Sequence, residues 1–164
     1  MARLHALVVA IVVAAATPAA AELISIPRTK ATITLGAEWK PLAAQGLVAA
    51  YRTERGLVLA ITRAQVPNID AWRSKTREAY ADEIERGVTS RIPGYRRISR
   101  ALRDVQGVPA LDLEARRKDG TTIVIRILLF RTYALALAIE CPRRPDVAVA
   151  RAVATTFTIA APAP

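Results

Sequence analysis

Two side chains stand out as possible nucleophilic machinery: Cys141, the only thiol, and His5, the only imidazole. A Cys–His pair becomes a catalytic centre when the imidazole can take the thiol proton. His5, however, lies inside "MARLHALVVAIVVAAATPAAA". That stretch has a basic start at Arg3, an apolar run from Ala6 to Ala16, and small residues at Ala19 and Ala21 after Pro18. This is the pattern of a secretory leader over residues 1–21, cut after Ala21. Its run of about eleven apolar residues falls short of the roughly 20 needed to cross hydrocarbon, so stable membrane insertion is not expected. No Cys follows the small residues, which argues against a lipid anchor.

The chain from Glu22 onward has no histidine. That removes Ser-His-Asp and Cys-His catalysis and every His-containing zinc or iron site. Carboxylates are the remaining route to acid–base chemistry, and fourteen Asp and Glu are present. Glycosidase-type catalysis would need two of them facing a sugar. Most instead stand beside a cation at surface-like positions, as Asp82 does with Arg86 and Asp104 with Arg103. The seven glycines are scattered singly, so there is no Gly-rich phosphate loop. No catalytic residue, metal ligand or cofactor is expected. A lone Cys141 cannot form an internal disulfide, which is compatible with export but excludes a small disulfide-built scaffold.

Charge is the positive signal. The formal net charge is +10. Without Arg3 the 24 cations fall to 23, nineteen of them Arg, and the net charge to +9. Abundant Arg and Ala also arise from a GC-rich genome with no selection for charge. The functional alternative is attraction to something anionic. Nucleic acid is disfavoured, because an exported protein seldom meets it and no aromatic-interleaved basic face is present. An envelope protein, anionic lipid head groups or an acidic envelope polymer fit better. The candidate basic surface is Arg96, Arg97, Arg100 and Arg103 on one strand, joined by Arg143 and Arg144.

The elements that must position these residues are mostly strands. Short strands are expected at Leu23–Ile26 and Ala31–Leu35, and a hairpin from Leu47–Arg52 to Leu57–Arg63 around Glu54-Arg55-Gly56. Asn68 or Asp70 can cap a helix running to about Ser90, with Trp72, Thr76, Tyr80, Ile84 and Val88 on one stripe. Strand material resumes near Tyr95 and runs, broken at Gln106-Gly107, to Cys141. Asp146 can cap a second helix, and Phe157 and Ile159 close the domain. This is an α+β pattern: one domain over residues 22–159, an antiparallel sheet covered by a long helix and a shorter C-terminal helix, then a disordered tail at 160–164.

Within "LDLEARRKDGTTIVIR", Leu111 to Arg126, the turn sets the register. A three-residue Lys118-Asp119-Gly120 loop, with Gly120 left-handed, aligns Leu113 with Ile125 and Leu111 with Ile127. It also places Asp112 opposite Arg126 as a cross-strand ion pair. Arg116 then shares the charged face with Asp112 and Glu114, Arg117 points away from it and Lys118 sits in the loop, so the three cations splay into a solvated hairpin end, with a binding tip as the alternative. Cys141 ends the Leu135-Leu137-Ile139 alternation and is expected to be buried as a small hydrophobe.

The order of parts resembles one family. A Trp follows an early strand in "GAEW", then come a hairpin, one long helix and "IPGYRRI". After these stand "VQGVPALDLEARRKDG", the strands of "TTIVIRILLFRTYALALAIECP", a short helix and "TTFTI". This is similar to the PsbP-like family, whose fold is shared by a Ran-binding nuclear-transport factor and by DcrB-type bacterial envelope proteins. The resemblance implies a non-enzymatic module that docks onto other proteins or assists an envelope process, and it brings no common active site. The expected protein is therefore an exported envelope interaction or assembly module, periplasmic or secreted. The alternative is a soluble carrier holding a small or lipidic ligand between sheet and helix; a large apolar cavity would favour it, and a filled core would favour docking.

Overall fold

A computed structural model of the chain describes residues 20–66, 77–90 and 92–160. The leader assigned to residues 1–21 lies almost wholly outside the described residues. So do the expected helix caps Asn68 and Asp70, Trp72 and Thr76 of the apolar stripe, the side chain of Tyr80, and residues 161–164 of the tail.

The chain forms β1 (Glu22–Ser25), β2 (Ala31–Leu35), β3 (Lys40–Pro41), β4 (Ala49–Arg52) and β5 (Val58–Gln65), then α1 (Arg77–Thr89). It continues through β6 (Arg96–Val105), β7 (Val108–Arg116), β8 (Thr122–Leu129), β9 (Tyr133–Cys141), α2 (Asp146–Thr155) and β10 (Thr158–Ile159). Seven strands make one antiparallel sheet in the order β3-β4-β5-β9-β8-β7-β6. The result is a single-domain α+β fold with helices packed on the sheet, as the strand and helix pattern implied. One feature differs. β1, β2 and β10 leave the main sheet and pair as a second one, ordered β1-β2-β10. The Thr156 hydroxyl explains the detour. It accepts the Thr34 N–H at 3.0 Å, and its single proton lies between the Val153 carbonyl at 2.8 Å and the Thr34 carbonyl at 3.2 Å, which draws the chain after α2 onto β2.

The register of β7 and β8 is the one that aligns the apolar rows: Leu113 opposite Ile125, Leu111 opposite Ile127, Asp112 opposite Arg126. Gly120 has φ +88°, in the left-handed region that a three-residue loop of this kind requires. Between β8 and β9 the chain reverses through a two-residue tip, Arg131-Thr132, flanked by Phe130, whose N–H donates to the Tyr133 carbonyl at 2.9 Å. That length sets Ile125 against Ala138 and Leu128 against Leu135. Parity then sends Ile123, Ile125, Ile127 and Leu129 to the α1 side, where Ala81 and Ile84 cover them with Leu111 and Leu113. Leu135, Leu137 and Ile139 go to the other side, under Val147, Ala150 and Ala154 of α2 and against Ile33 and Leu35 of β2. All eight residues of β8 are buried because layers close on both of its faces. Each such Leu or Ile contributes about 2 kcal/mol before chain entropy is charged against it.

One β8 residue breaks the apolar run. Arg126 is 7% exposed, and its guanidinium donates from Nε and Nη2 to the two Asp112 oxygens at 2.7 Å each. Its Nη1 donates to the Thr155 carbonyl at the end of α2, at 3.1 Å. A buried guanidinium needs partners of this kind to offset its lost hydration. The carbonyl end of a helix is also the end that favours a cation.

Asp146 departs from its expected role. Pro145 occupies the N-cap of α2 with no side-chain cap, and Asp146 is the first helical residue. Its fully buried carboxylate receives Arg143 Nε at 2.9 Å on Oδ2, and Arg55 Nη2 lies 3.0 Å from Oδ1. The Arg55 approach is an ion pair without hydrogen-bond geometry, so Oδ1 lacks a hydrogen-bond donor. Burial explains the change: a carboxylate sealed beneath the β4–β5 turn must find cations before it can serve backbone N–H groups.

Two outcomes follow from the core. Arg126→Ala, which strands Asp112 and the Thr155 carbonyl, should lower the urea unfolding free energy by about 3 kcal/mol. The isosteric pair Arg126→Met/Asp112→Leu should recover most of it, whereas a single-variant loss below about 1 kcal/mol would mean that the pair is not structural. Cys141 is 1% exposed, and burial pushes its thiol up to about 12. Labelling at pH 8 should therefore be slow and follow the opening of the whole domain, and rapid modification of native protein would contradict burial.

Candidate interaction surface

The strand that carries most of the expected basic surface, β6, is the free edge of the main sheet. From Ser99 to Val105 it pairs with β7 in one register, Ser99 opposite Glu114 and Ala101 opposite Asp112. Between Arg97 and Ser99 the register shifts, and Ile98 is the extra, 49% exposed residue of the irregularity. Such a bulge reverses which face the residues beyond it present. Arg97 thus sits opposite Ala115 on the α1 side, and Arg96 sits opposite Arg116 on the α2 side.

On the α1 side the arginines meet acids. Arg100 contacts Glu78, Asp82 and Glu85 of α1. Arg97 Nη1 donates to Glu85 Oε2 at 2.8 Å, and the Tyr95 hydroxyl donates to Glu85 Oε1 at 2.8 Å. The hydrogen bond from Arg100 holds the exposed Asp82 carboxyl below its ordinary range. Burial, and then the Glu85 carboxylate, push the Tyr95 phenol up. This cluster fastens α1 to the sheet edge.

On the α2 side, Arg151 Nε donates to Glu114 Oε2 at 2.7 Å, and Arg103 Nε lies 3.8 Å from Asp112 Oδ2. With Ser99, Ala101, Arg126 and Ala154 these residues line an open groove of about 360 Å³ between the sheet and α2. Both of its acids are already taken, Asp112 by Arg126 and Glu114 by Arg151, and Arg103 is left as the exposed cation at its rim.

The hairpin end is different. Arg117 turns to the α1 side of the row and donates to Glu140 Oε1 at 2.8 Å. Arg116 and Arg144 line an open recess of about 330 Å³ with Gly120, Thr122, Cys141 and Pro142. Lys118 is held near the exit of α1. Its N–H lies 3.4 Å from the Pro93 carbonyl, and a Cβ on Gly94 would come 2.6 Å from the Lys118 Cβ. The hairpin tip is therefore packed on one flank, not free on all sides.

The six expected residues do not share one face. Arg97 and Arg100 serve α1, Arg103 faces the α2 groove, and Arg143 is bound to Asp146 and to the Arg55 carbonyl at 3.1 Å. Arg96 and Arg144 remain exposed at the hairpin end, on the side where Arg116 projects. Arg116 is the residue that sequence reasoning assigns to a solvated hairpin end instead of to this surface. The signal lay in its pairing with Arg96, which depends on a bulge that carries no glycine or proline to mark it.

No family model and no curated protein matches the sequence. Among solved structures the chain is similar to the cyanobacterial PsbP (CyanoP) of Synechocystis sp. PCC 6803, with a TM-score of 0.65 and 15% identity, covering 88% of this chain and 95% of that one. It is also similar to LpqN of Mycobacterium tuberculosis, a protein involved in cell envelope biogenesis, with a TM-score of 0.56 and 11% identity over 80% and 83% of the two chains. At these identities the likeness concerns the fold: the chain has a PsbP-like fold.

Proposed function

We propose that the protein is an exported, non-enzymatic component of the cell envelope that works by docking onto a partner. The observation that carries this reading is the use of the buried and half-buried carboxylates. Glu85, Asp112, Glu114 and Asp146 are each held by an arginine of another element or turn, Arg97, Arg126, Arg151 and Arg55, so they tie the fold together instead of standing ready to move protons. Acids tied down in this way have the character of structural ion pairs. The leader pattern of residues 1–21 supports export, and the likeness in fold to LpqN supports an envelope setting. The filled rows on both faces of β8 support docking over carriage of a ligand within the described part of the core.

The test is to express the full chain with its leader, release it by osmotic shock and measure its native mass. The expected species begins at Glu22, carries no retained small molecule, and cross-links in intact envelopes to a discrete protein partner. A form retaining residues 1–21 and extracted only by detergent would overturn export. A lipid or small molecule that stays bound through native mass measurement would overturn docking in favour of carriage.

A further inference from the structure

Two sets among the described arginines stand in contrast. Arg55, Arg97, Arg100, Arg117, Arg126, Arg143 and Arg151 each meet a carboxylate within 3.0 Å. Among the described residues Arg96, Arg116 and Arg144 meet none, although acids stand nearby. Glu114, two residues from Arg116 on the same face, is taken by Arg151. Asp119 accepts the Thr121 N–H at 2.9 Å and faces Arg117 at 3.8 Å. Glu140 is taken by Arg117, and Asp146 by Arg143 and Arg55.

What remains is a like-charge arrangement. Arg96 and Arg116 are direct cross-strand partners, and such partners hold their Cβ atoms about 5 Å apart on one face, where equal charges repel. Arg144 closes on Arg116 across the open recess of about 330 Å³. Arg96 and Arg116 therefore stand side by side on one face, and Arg116 and Arg144 line one recess, which gathers three cations at one end of the hairpin. A ligand with more than one negative charge relieves that repulsion. A phosphate group carries about −1.5 to −2 charges as a monoester and presents three acceptor oxygens to planar guanidinium forks.

We propose that Arg96, Arg116 and Arg144 form a binding site for a phosphate group, presented either by a free phosphate compound or by a lipid head group. The site rests on the distribution of ion pairs and stands whether or not the envelope role does.

The mature protein is titrated at low ionic strength with inorganic pyrophosphate, and separately mixed with phosphatidylcholine vesicles with and without phosphatidic acid. Binding in the first arm identifies a soluble ligand, and binding only to the phosphatidic acid vesicles identifies a head group. The triple variant Arg96→Gln/Arg116→Gln/Arg144→Gln should weaken whichever binding occurs by about a hundredfold, the combined effect of three near-surface cations. The matched control Arg28→Gln/Arg52→Gln/Arg86→Gln removes the same charge from exposed residues elsewhere and should stay within about threefold of wild type. Circular dichroism and slow Cys141 labelling verify that both variants are folded. Equal losses in the two triple variants would reduce the effect to net charge and overturn the site. So would binding in neither arm, or displacement of pyrophosphate by an acidic peptide of equal charge at equal concentration.

Discussion

A charged guanidinium lies inside the layer interface, and the arrangement of the layers follows from satisfying it. β8 could have been apolar throughout, since both of its faces are covered. Arg126 instead demands a carboxylate and a carbonyl, and obtains them from Asp112 on β7 and Thr155 at the end of α2. These bonds fix where α2 ends over the sheet. The next residue, Thr156, brackets the backbone of Thr34, and Phe157 seals the core beneath it. β10 then pairs with β2 at Thr158–Thr32 and Ile159–Ala31. A buried ion pair of this type contributes little net stability over an apolar pair of the same shape. Its contribution is to favour one placement of α2 over its sliding alternatives.

The same economy governs the surface. The bulge at Ile98 turns Arg97 toward Glu85 and Arg96 toward Arg116, so a single extra residue on β6 decides which arginine is neutralised and which is exposed. Exposed ion pairs contribute about 0–1 kcal/mol each, so the pairing of Arg97, Arg100 and Arg117 matters less for stability than for the field left over. Field is left over where partners are missing, and the hairpin end, with Arg96 beside Arg116, is one such place. A strongly basic composition does not by itself define a binding face; the distribution of acids does.

Much of this was legible in the sequence where a period was involved. Alternation in "LDLEARRKDGTTIVIR" allows one register that keeps Leu113 and Ile125 together, and Asp112 then has to face Arg126. The end of the Leu135-Leu137-Ile139 row placed Cys141 inside. What lacked a period was not legible. No local signal separates β1, β2 and β10 from the main sheet, because their grouping is decided by Thr156 and Phe157 more than a hundred residues away from β2. Asp146 reads as a helix cap by type, yet the Arg55 turn far upstream claims its carboxylate. The bulge at Ile98 leaves no mark either, so Arg96 and Arg97 part to opposite faces, and the six arginines expected on one surface are divided among four places.

The central claim is that arginines holding acids build the fold, whereas Arg96, Arg116 and Arg144 strain it slightly and serve something outside it. The most direct measurement is the urea unfolding free energy of Arg116→Gln against wild type at low and high ionic strength. The account predicts that the variant is unchanged or up to about 1 kcal/mol more stable at low salt, through relief of repulsion with Arg96, and that any gain disappears at high salt. A loss of more than about 1 kcal/mol at low salt would show that Arg116 belongs to the structural set and would contradict the division.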